Sequence, residues 1–573
     1  MDEKKRVIGI DLGTTNSEVA VIVDGKPVLL KVDGHPVMPS VVSIGKEGDV
    51  LIGQAAVNNE LVDPEGSVRC IKRKMGRDEI LSIHGKEYTP SMLSSLILTR
   101  LKKTAEDFYG ELVTQAVITV PAFFNEKQRE ATKLAGEMAG LEVLRLLNEP
   151  TAAALAYSLG KKEKEISLVY DLGGGTFDVS IVDLSLGVME VLASDGDTEL
   201  GGSDFDLMIA QKIKSNFLTE HGIDLSKKTL SWLRVLRAAE EAKIRLSTEA
   251  QVDILEEFIE EKEGVPIHLK MSITRVEFEE MIRAVLDRTI QCVKRALKQA
   301  SCEASSLDRV VLVGGSTYIP LVSQLLEKEL GIAPQAWLNP ETVVAQGAAV
   351  EGASLSGESL GIMMLDVTPH SLGLRSLDSM DMLKNVILIH RNTSLPCVAS
   401  RLFYKQYSEQ DIVEIIVYQG ESSRIEAVTE IGRFNLEGLE ESEDLEICVK
   451  FEMDRSGLLN VTATDIGLGK KVVYTIERKS GDLTASKNLA DLKALRLQLV
   501  DTEAAIETVG EEVVLTEQPE LLPLSEELIK KALAILEKGT LASSDVEELK
   551  TCIEAVKSGE SSQRLEEILY YLD

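Results

Sequence analysis

Short apolar runs closed by small polar turns recur along the 573-residue chain, and the first of them is repeated. Arg6-Val7-Ile8-Gly9-Ile10 leads into Asp11-Leu12-Gly13-Thr14-Thr15-Asn16-Ser17. Val19 to Val23 is then apolar, and Asp24-Gly25 turns the chain back into Val28-Leu29-Leu30. Asp-Gly between apolar runs is a hairpin signal, because both residues tolerate positive φ. The same order returns in Ser167-Leu168-Val169-Tyr170, Asp171-Leu172-Gly173-Gly174-Gly175-Thr176-Phe177-Asp178 and Val179-Ser180-Ile181-Val182. Two copies of one strand, turn and strand predict two related lobes.

Helical periodicity fills the intervals. Residues 125–140 carry Leu134, Met138 and then Leu141 at helical spacing, and residues 231–246 read as a second long helix. Arg309-Val310-Val311-Leu312-Val313 is a buried strand running into Gly314-Gly315-Ser316, with a helix predicted over 321–330. This alternation predicts an α/β unit over residues 1–357. The composition turns small and polar at 354–359, then Ile362-Met363-Met364-Leu365 precedes Asp366, so residues 358–366 read as an interdomain linker. Strand-like runs such as residues 411–418, punctuated by Gly420, Gly432, Gly438, Gly457 and Gly467, predict a β-domain over 367–481. Residues 482–573 are Leu-, Ala-, Glu- and Lys-rich and read as helices broken by Pro519 and Pro523.

Charge narrows the possible partners. The chain has 94 acidic and 62 basic side chains, a formal charge of −32. Such a field repels phosphate backbones and anionic lipid, and no basic patch of convincing length offsets it. Aromatics are only 4% of the residues, too few for base-stacking platforms. Cys70, Cys292, Cys302, Cys397, Cys448 and Cys552 lie far apart with no Cys-x-x-Cys pair, the usage of reduced thiols. The six histidines form no His-x-x-x-His pair. The apolar run after the basic start is too short for a secretory signal, and no later run approaches the roughly 18 to 20 residues a membrane helix needs. A cytoplasmic location is therefore the expectation.

The two turns carry the chemistry. Glycines at Gly13, Gly173, Gly174 and Gly175 let backbone N–H groups approach phosphate oxygens, while Thr14, Thr15 and Thr176 add hydroxyl donors. Asp11 and Asp171 supply a carboxylate beside each turn, suited to magnesium-bound water. One such turn is ordinary; two matching turns favour phosphate binding. No Gly-x-x-x-x-Gly-Lys-[Ser/Thr] occurs and no Gly-x-Gly-x-x-Gly follows the first strand, so P-loop and dinucleotide folds are disfavoured. The phosphates are expected between two hairpins instead.

Together, Ile10 to Ser17, Asn148-Glu149-Pro150-Thr151-Ala152-Ala153-Ala154, Asp171 to Asp178 and Val313-Gly314-Gly315-Ser316 resemble the DnaK-type heat-shock chaperones over roughly residues 5 to 480. Lys72-Arg73-Lys74-Met75-Gly76, Tyr418-Gln419-Gly420-Glu421 and the short tail resemble the HscC-like branch. The resemblance implies a multidomain chain: an actin-like α/β ATPase domain, a β-sandwich peptide-binding domain and a short α-helical lid. ATP/ADP, Mg2+ and K+ are the implied cofactors. It further implies unfolded or extended peptides, a J-domain co-chaperone and a nucleotide-exchange factor as partners, and a role in the stress response. The absence of a long polar tail after Tyr570-Tyr571-Leu572-Asp573 makes tail-borne partner binding unexpected.

By motif, the resemblance implies that Lys72 stabilises γ-phosphate charge and positions the attacking water. It places Glu149 and Asp171 around that water and the metal, Thr176 next to the γ-phosphate, and Asp11 with Asp178 near magnesium and potassium. Asn16, Gly201 and Gly202 complete the phosphate side. Glu240, Lys243 and Ser247 share one helix face and match the adenosine-contacting helix, with Gly314, Gly315 and Ser316 behind the ribose and adenine. Tyr318 stands where an arginine is usual, and Ser203 where an acid is frequent. Pro121, Arg129, Pro150, Leu365 and Asp366 match positions that relay nucleotide state. Leu374, Leu377, Phe403, Val413 and Ile415 match the peptide groove, and Gln406 stands where a small arch residue is commoner.

These readings predict an ATP-driven chaperone that binds extended apolar peptides and couples hydrolysis to their capture and release. Two other classes compete. A metabolite phosphotransferase on the same actin-like core has no use for the β-domain groove, and a degenerate-ATPase binding protein has no use for Lys72.

Overall fold

A computed structural model describes residues 6–159, 164–185, 187–335, 339–358, 361–377, 382–405, 410–439, 445–467 and 471–475. The predicted helical segment 482–573, with Pro519 and Pro523, lies outside the described residues, as does Gln406.

The sequence repeat becomes two sheets of like construction. In the first, strand Val7–Leu12 pairs in parallel with Gln115–Val120 and antiparallel with Asn16–Val23, which continues antiparallel into Lys26–Leu29. In the second, Glu165–Leu172 pairs in parallel with Arg309–Val313 and antiparallel with Phe177–Ser185, which continues antiparallel into Val188–Asp197. Both hairpins therefore enter their sheets in the same sense, and their turns emerge at corresponding ends. The asymmetry lies at the edges, where Glu142–Asn148 extends the first sheet and Met363–Leu365 the second.

Small residues join the lobes. Helices Glu149–Ser158 and Val343–Leu355 make the most extensive helix pair of the described residues, and most of their lengths are buried. Their closeness follows from composition, since a side chain at Gly347 would meet the Ala152 carbonyl oxygen at 1.8 Å. Each lobe has its own core, one around Ile10, Met75, Leu93 and Phe124, the other around Tyr170, Phe177, Phe205 and Phe278. Full burial of such aromatic side chains stabilises by about 2–3 kcal/mol each.

Helix Glu126–Met138 begins where its sequence dictates. Asn125 accepts from the Gln128 amide at 3.0 Å and the Gln128 side chain accepts from the Asn125 amide at 3.0 Å, a reciprocal cap. The second long helix, Thr229–Leu246, starts two residues before its predicted position. Helix Val343–Leu355 runs into the small polar stretch read as linker, because Ser354 and Leu355 complete its last turn.

Two four-stranded antiparallel sheets follow. One runs Leu383–Ile389, Leu372–Leu377, Ile412–Gln419 and Thr429–Glu437; the other runs Cys397–Tyr404, Glu446–Met453, Leu459–Asp465 and Lys471–Thr475. Their facing side chains, including Leu374, Ile415, Val417, Ile447 and Phe451, form one core. Alternation of buried and half-exposed positions along Glu446–Met453 shows the period of two expected of a sandwich strand.

Candidate functional site

The two turns face each other. Thr15 Oγ1 occupies the place a side chain at Gly174 would need, and Thr14 the place needed at Gly175, with distances of 1.9 and 2.4 Å to the nearest atom. Gly13 is equally constrained, its would-be Cβ lying 1.9 Å from the Asn16 carbonyl oxygen. The start of helix Gly202–His221 closes on the second turn, with the Gly202 and Ser203 amides donating to the Gly173 and Gly174 oxygens at 3.0 and 2.8 Å. Gly201 packs on the Gly174 backbone, where no side chain fits.

Four carboxyls, those of Asp11, Glu149, Asp171 and Asp178, are buried around the single ammonium of Lys72. Lys72 Nζ donates to Glu149 Oε1, and Thr119 donates to Asp11 Oδ1 at 2.5 Å. The Phe123 amide donates to Asp178 Oδ1 at 3.0 Å. Burial pushes the Glu149 carboxyl up to about 7 against the pull of Lys72, and the Asp178 carboxyl up to about 8 with Glu149 adding to the rise. Asp171 is held well above the usual carboxylate range by burial and by Glu149. For Lys72, burial favours the neutral amine, but Glu149 and Asp11 outweigh it and hold the ammonium charged. An excess of buried acid over base is a setting that added positive charge stabilises.

Among the described residues no three acidic, histidine or cysteine side chains converge tightly enough to hold a bare ion. The buried acids beside the two turns, Asp11, Glu149, Asp171 and Asp178, are all carboxylates, the oxygen donors a hard cation such as magnesium takes.

Beside the second turn, Ser316 Oγ donates to the Gly173 oxygen at 2.9 Å. Lys243 reaches the same place, 3.1 Å from where a Gly202 side chain would begin, and is paired with Asp206 at 2.8 Å. Gly314 has φ +83°, and a side chain there would strike the Leu172 oxygen at 2.4 Å. Gly315 abuts Glu341, and Tyr318 is half exposed beyond it. Glu240 pairs with Arg69 at 3.2 Å, and Ser247 ends the helix that carries Glu240 and Lys243.

The basic run around Lys72 spans the cleft. Arg73 donates to the Gly175 oxygen at 2.9 Å and pairs with Asp204 at 2.6 Å, while Arg77 pairs with Glu199 at 2.6 Å. Glu60, buried, is held by Arg69 from its own lobe and by Arg237 at 2.8 Å from the facing lobe.

At the far end of the second sheet, Met363–Leu365 adds a parallel strand to Val188–Asp197, with Val188 opposite Met363 and Glu190 opposite Leu365. Asp366 Oδ2 accepts from Asn148 Nδ2 at 3.0 Å, and Arg129 Nη2 donates to Asn148 Oδ1 at 2.6 Å. Arg129 also donates to the Ser456 oxygen at 3.2 Å, joining helix Glu126–Met138 to a turn of the β-domain. The apolar stretch Met363–Leu365 is thus an edge strand of this sheet, with the β-sandwich seated beside it.

The family model described as Hsp70 protein matches residues 7–568. The chain belongs to the Hsp70 family. It is an ATP-dependent chaperone of the DnaK type and an ATPase, with an actin-like ATPase domain and a β-sandwich domain. Hsp70 proteins bind ATP/ADP and Mg2+ and act on unfolded peptides together with co-chaperones. No helix among the described residues is long and apolar enough to cross a membrane.

The Hsp70 sandwich brings the sequence-derived groove positions together unevenly. Leu374 and Ile415 are buried in its core, whereas Phe403 and Val413 are half-buried against it and Leu377 is half-buried at a strand end. Phe403 comes from the other sheet, opposite Ile447. Pro121 is buried in the turn before Asn125, and Pro150 occupies the first turn of the helix begun by Glu149.

Several residues of this Hsp70 went unread in the sequence. Glu18 lies directly across the hairpin from Asp11, and burial together with the Asp11 charge holds its carboxyl well above the usual range. Asp195, almost wholly buried, pairs with Arg295 at 2.6 Å and with Arg391 of the β-domain at 3.5 Å. Ser456 Oγ accepts from the Leu146 amide at 3.2 Å, and Glu126 Oε1 accepts from the Leu459 amide at 2.6 Å. No spacing flags the contacts of Arg391, Ser456 and Glu126, because their partners are more than 180 residues away in the chain.

Proposed function

We propose that this chain is a two-state peptide clamp in which residues 1–357 hydrolyse ATP, 358–366 form the docking strand, 367–481 bind peptide and 482–573 act as the lid. The supporting observation is that strands Glu165–Leu172, Phe177–Ser185 and Val188–Asp197 form one hydrogen-bonded sheet. The Asp171 and Thr176 turn lies at one end of it and the linker strand pairs at its edge. Lys72 and Glu149 hold the attacking water and its proton, Asp171 and Thr176 face the γ-phosphate, and Asp11 and Asp178 orient Mg2+ and K+. Phosphoryl transfer asks mainly for such positioning and charge stabilisation. Glycines 13, 173–175, 201 and 202 and hydroxyls of Thr14 and Thr15 take the phosphates. Glu240, Lys243, Ser247, Gly314, Gly315, Ser316 and Tyr318 take the nucleoside, the tyrosine offering an aromatic face.

The docked linker with its Arg129, Asn148 and Asp366 contacts is the ATP-favoured, fast-exchanging state, and its release accompanies peptide trapping between Leu374, Leu377, Phe403, Gln406, Val413 and Ile415. A J-domain protein and an exchange factor drive the cycle, in a cytoplasmic stress response, and the chain falls in the HscC-like branch. The test is peptide-dissociation kinetics with ATP, ADP and no nucleotide in the wild type and Thr176→Ala. ATP should accelerate release from the wild type, and Thr176→Ala should slow ATP turnover. A wild-type release rate indifferent to ATP sinks the proposal.

A further inference from the structure

Where the β-domain meets the ATPase domain, His370 is half-buried with its ring against Phe123. Ring centroids are 4.4 Å apart at 64°, and His370 Nε2 lies 3.1 Å from the Phe123 carbonyl oxygen. That contact makes Nε2 the donor, which it can be in the neutral and in the charged ring alike, so the bond itself favours the charged ring and the rest of the surroundings oppose it. The same Phe123 donates its amide to Asp178 at 3.0 Å, so one residue touches both the nucleotide cleft and the β-domain.

The neighbours disfavour a second proton. Arg391 of the β-domain stands over the Phe123 ring at 5.8 Å, and Arg129 approaches from helix Glu126–Met138. Glu421, bonded to Ser371 at 2.5 Å, is the acid on the β-domain side, and Asp178 lies behind Phe123. Glu126 also faces the interface through the Leu459 amide, and burial pushes it up to about 8, so its protonation acts in the opposite sense.

The geometry points to His370 as a proton-sensitive wedge: the β-domain docks on the ATPase domain only with a neutral ring, so acidification loosens the docked state. The inference rests on the docked arrangement being one arm of the chaperone cycle. In the docked state burial, helped by Arg391 and Arg129, lowers the ring to about 4. In a separated β-domain the ring meets water and returns toward about 6.5. The docked state binds fewer protons, so its advantage is complete above about pH 6.5 and is lost as pH falls toward about 4.

Between pH 7.5 and 5.5 the docking equilibrium should fall about tenfold through this group. The experiment measures amide exchange at Met363 in the ATP-bound full chain, corrected for intrinsic rates, alongside ATP-accelerated peptide release. Wild type, His370→Leu and His370→Gln are compared at both pH values. The ratio of the two pH values should be about tenfold steeper in the wild type than in either variant, since Glu126 and all other groups are common to the three. Equal steepness overturns the inference. Should His370→Leu fail to dock at pH 7.5, His370→Gln carries the comparison, and NMR titration of histidine-labelled wild type decides independently. A His370 ring that titrates near 6.5 in both ATP and ADP states overturns the inference. Loss of ATP-accelerated release at pH 7.5 in the wild type would instead count against the clamp itself.

Discussion

Ser456→Ala isolates the domain interface from the integrity of either domain. Ser456 lies in the turn between strands Glu446–Met453 and Leu459–Asp465, and its hydroxyl accepts from the Leu146 amide of the ATPase sheet at 3.2 Å. The Ser456 backbone oxygen remains with Arg129, so the substitution removes one bond and leaves the turn's route intact. In the docked state Leu146 is buried, and its amide would lose its partner; in the separated state the same amide meets water. A buried donor left unsatisfied costs about 1–3 kcal/mol, and solvent entering beside the half-buried turn places this case at about 1–2 kcal/mol. At about 1.4 kcal/mol per factor of ten, docking should weaken by roughly 5- to 30-fold. Met363 donates its amide to the Gly187 oxygen at 2.8 Å, a bond that release of the strand would break. Its exchange rate with ATP bound therefore reads the opening free energy, and should rise by that factor. Peptide affinity with ADP should stay unchanged, because Ser456 touches no groove position. Unchanged Met363 protection would refute the claim that this turn contributes to docking.

Two further outcomes follow from the cleft. Lys72→Ala should lower single-turnover ATP hydrolysis by roughly a hundredfold or more, the scale for removing one preorganised charge from a reacting phosphate, while calorimetry still detects ATP binding; undiminished turnover would favour the degenerate-ATPase alternative. Arg237→Ala leaves Glu60 with Arg69 alone and removes a contact between facing lobes, so ADP release followed by stopped flow should quicken several-fold; an unchanged rate would show that the Glu60 pair does not restrain opening.

Much of the arrangement of the two facing turns was legible because its requirements are local. A close turn demands glycine at 13, 174 and 314, and a phosphate-facing hairpin end demands hydroxyls and a carboxylate within a few residues, so spacing alone carries the signal. Glu240 and Lys243 share one helix, but spacing alone reads them as an exposed charged face, and only the family resemblance suggested a nucleoside there. The basic run showed its charge but not its use: Arg69, Arg73 and Arg77 take partners at 240, 204 and 199, contributed by helices and loops of the other lobe.

Sequence by itself determined the duplicated hairpins, the order α/β then β, and the apolar stretch at 362–365, since hydrophobic period and turn chemistry depend on adjacent residues. Tertiary structure alone decided what that strand pairs with, why Asp195 can be buried, and that His370 is neither surface nor core of one domain but part of a contact between two. Those outcomes depend on charges and donors brought together across hundreds of residues. A buried polar group is stable only with a partner, and the fold chooses that partner.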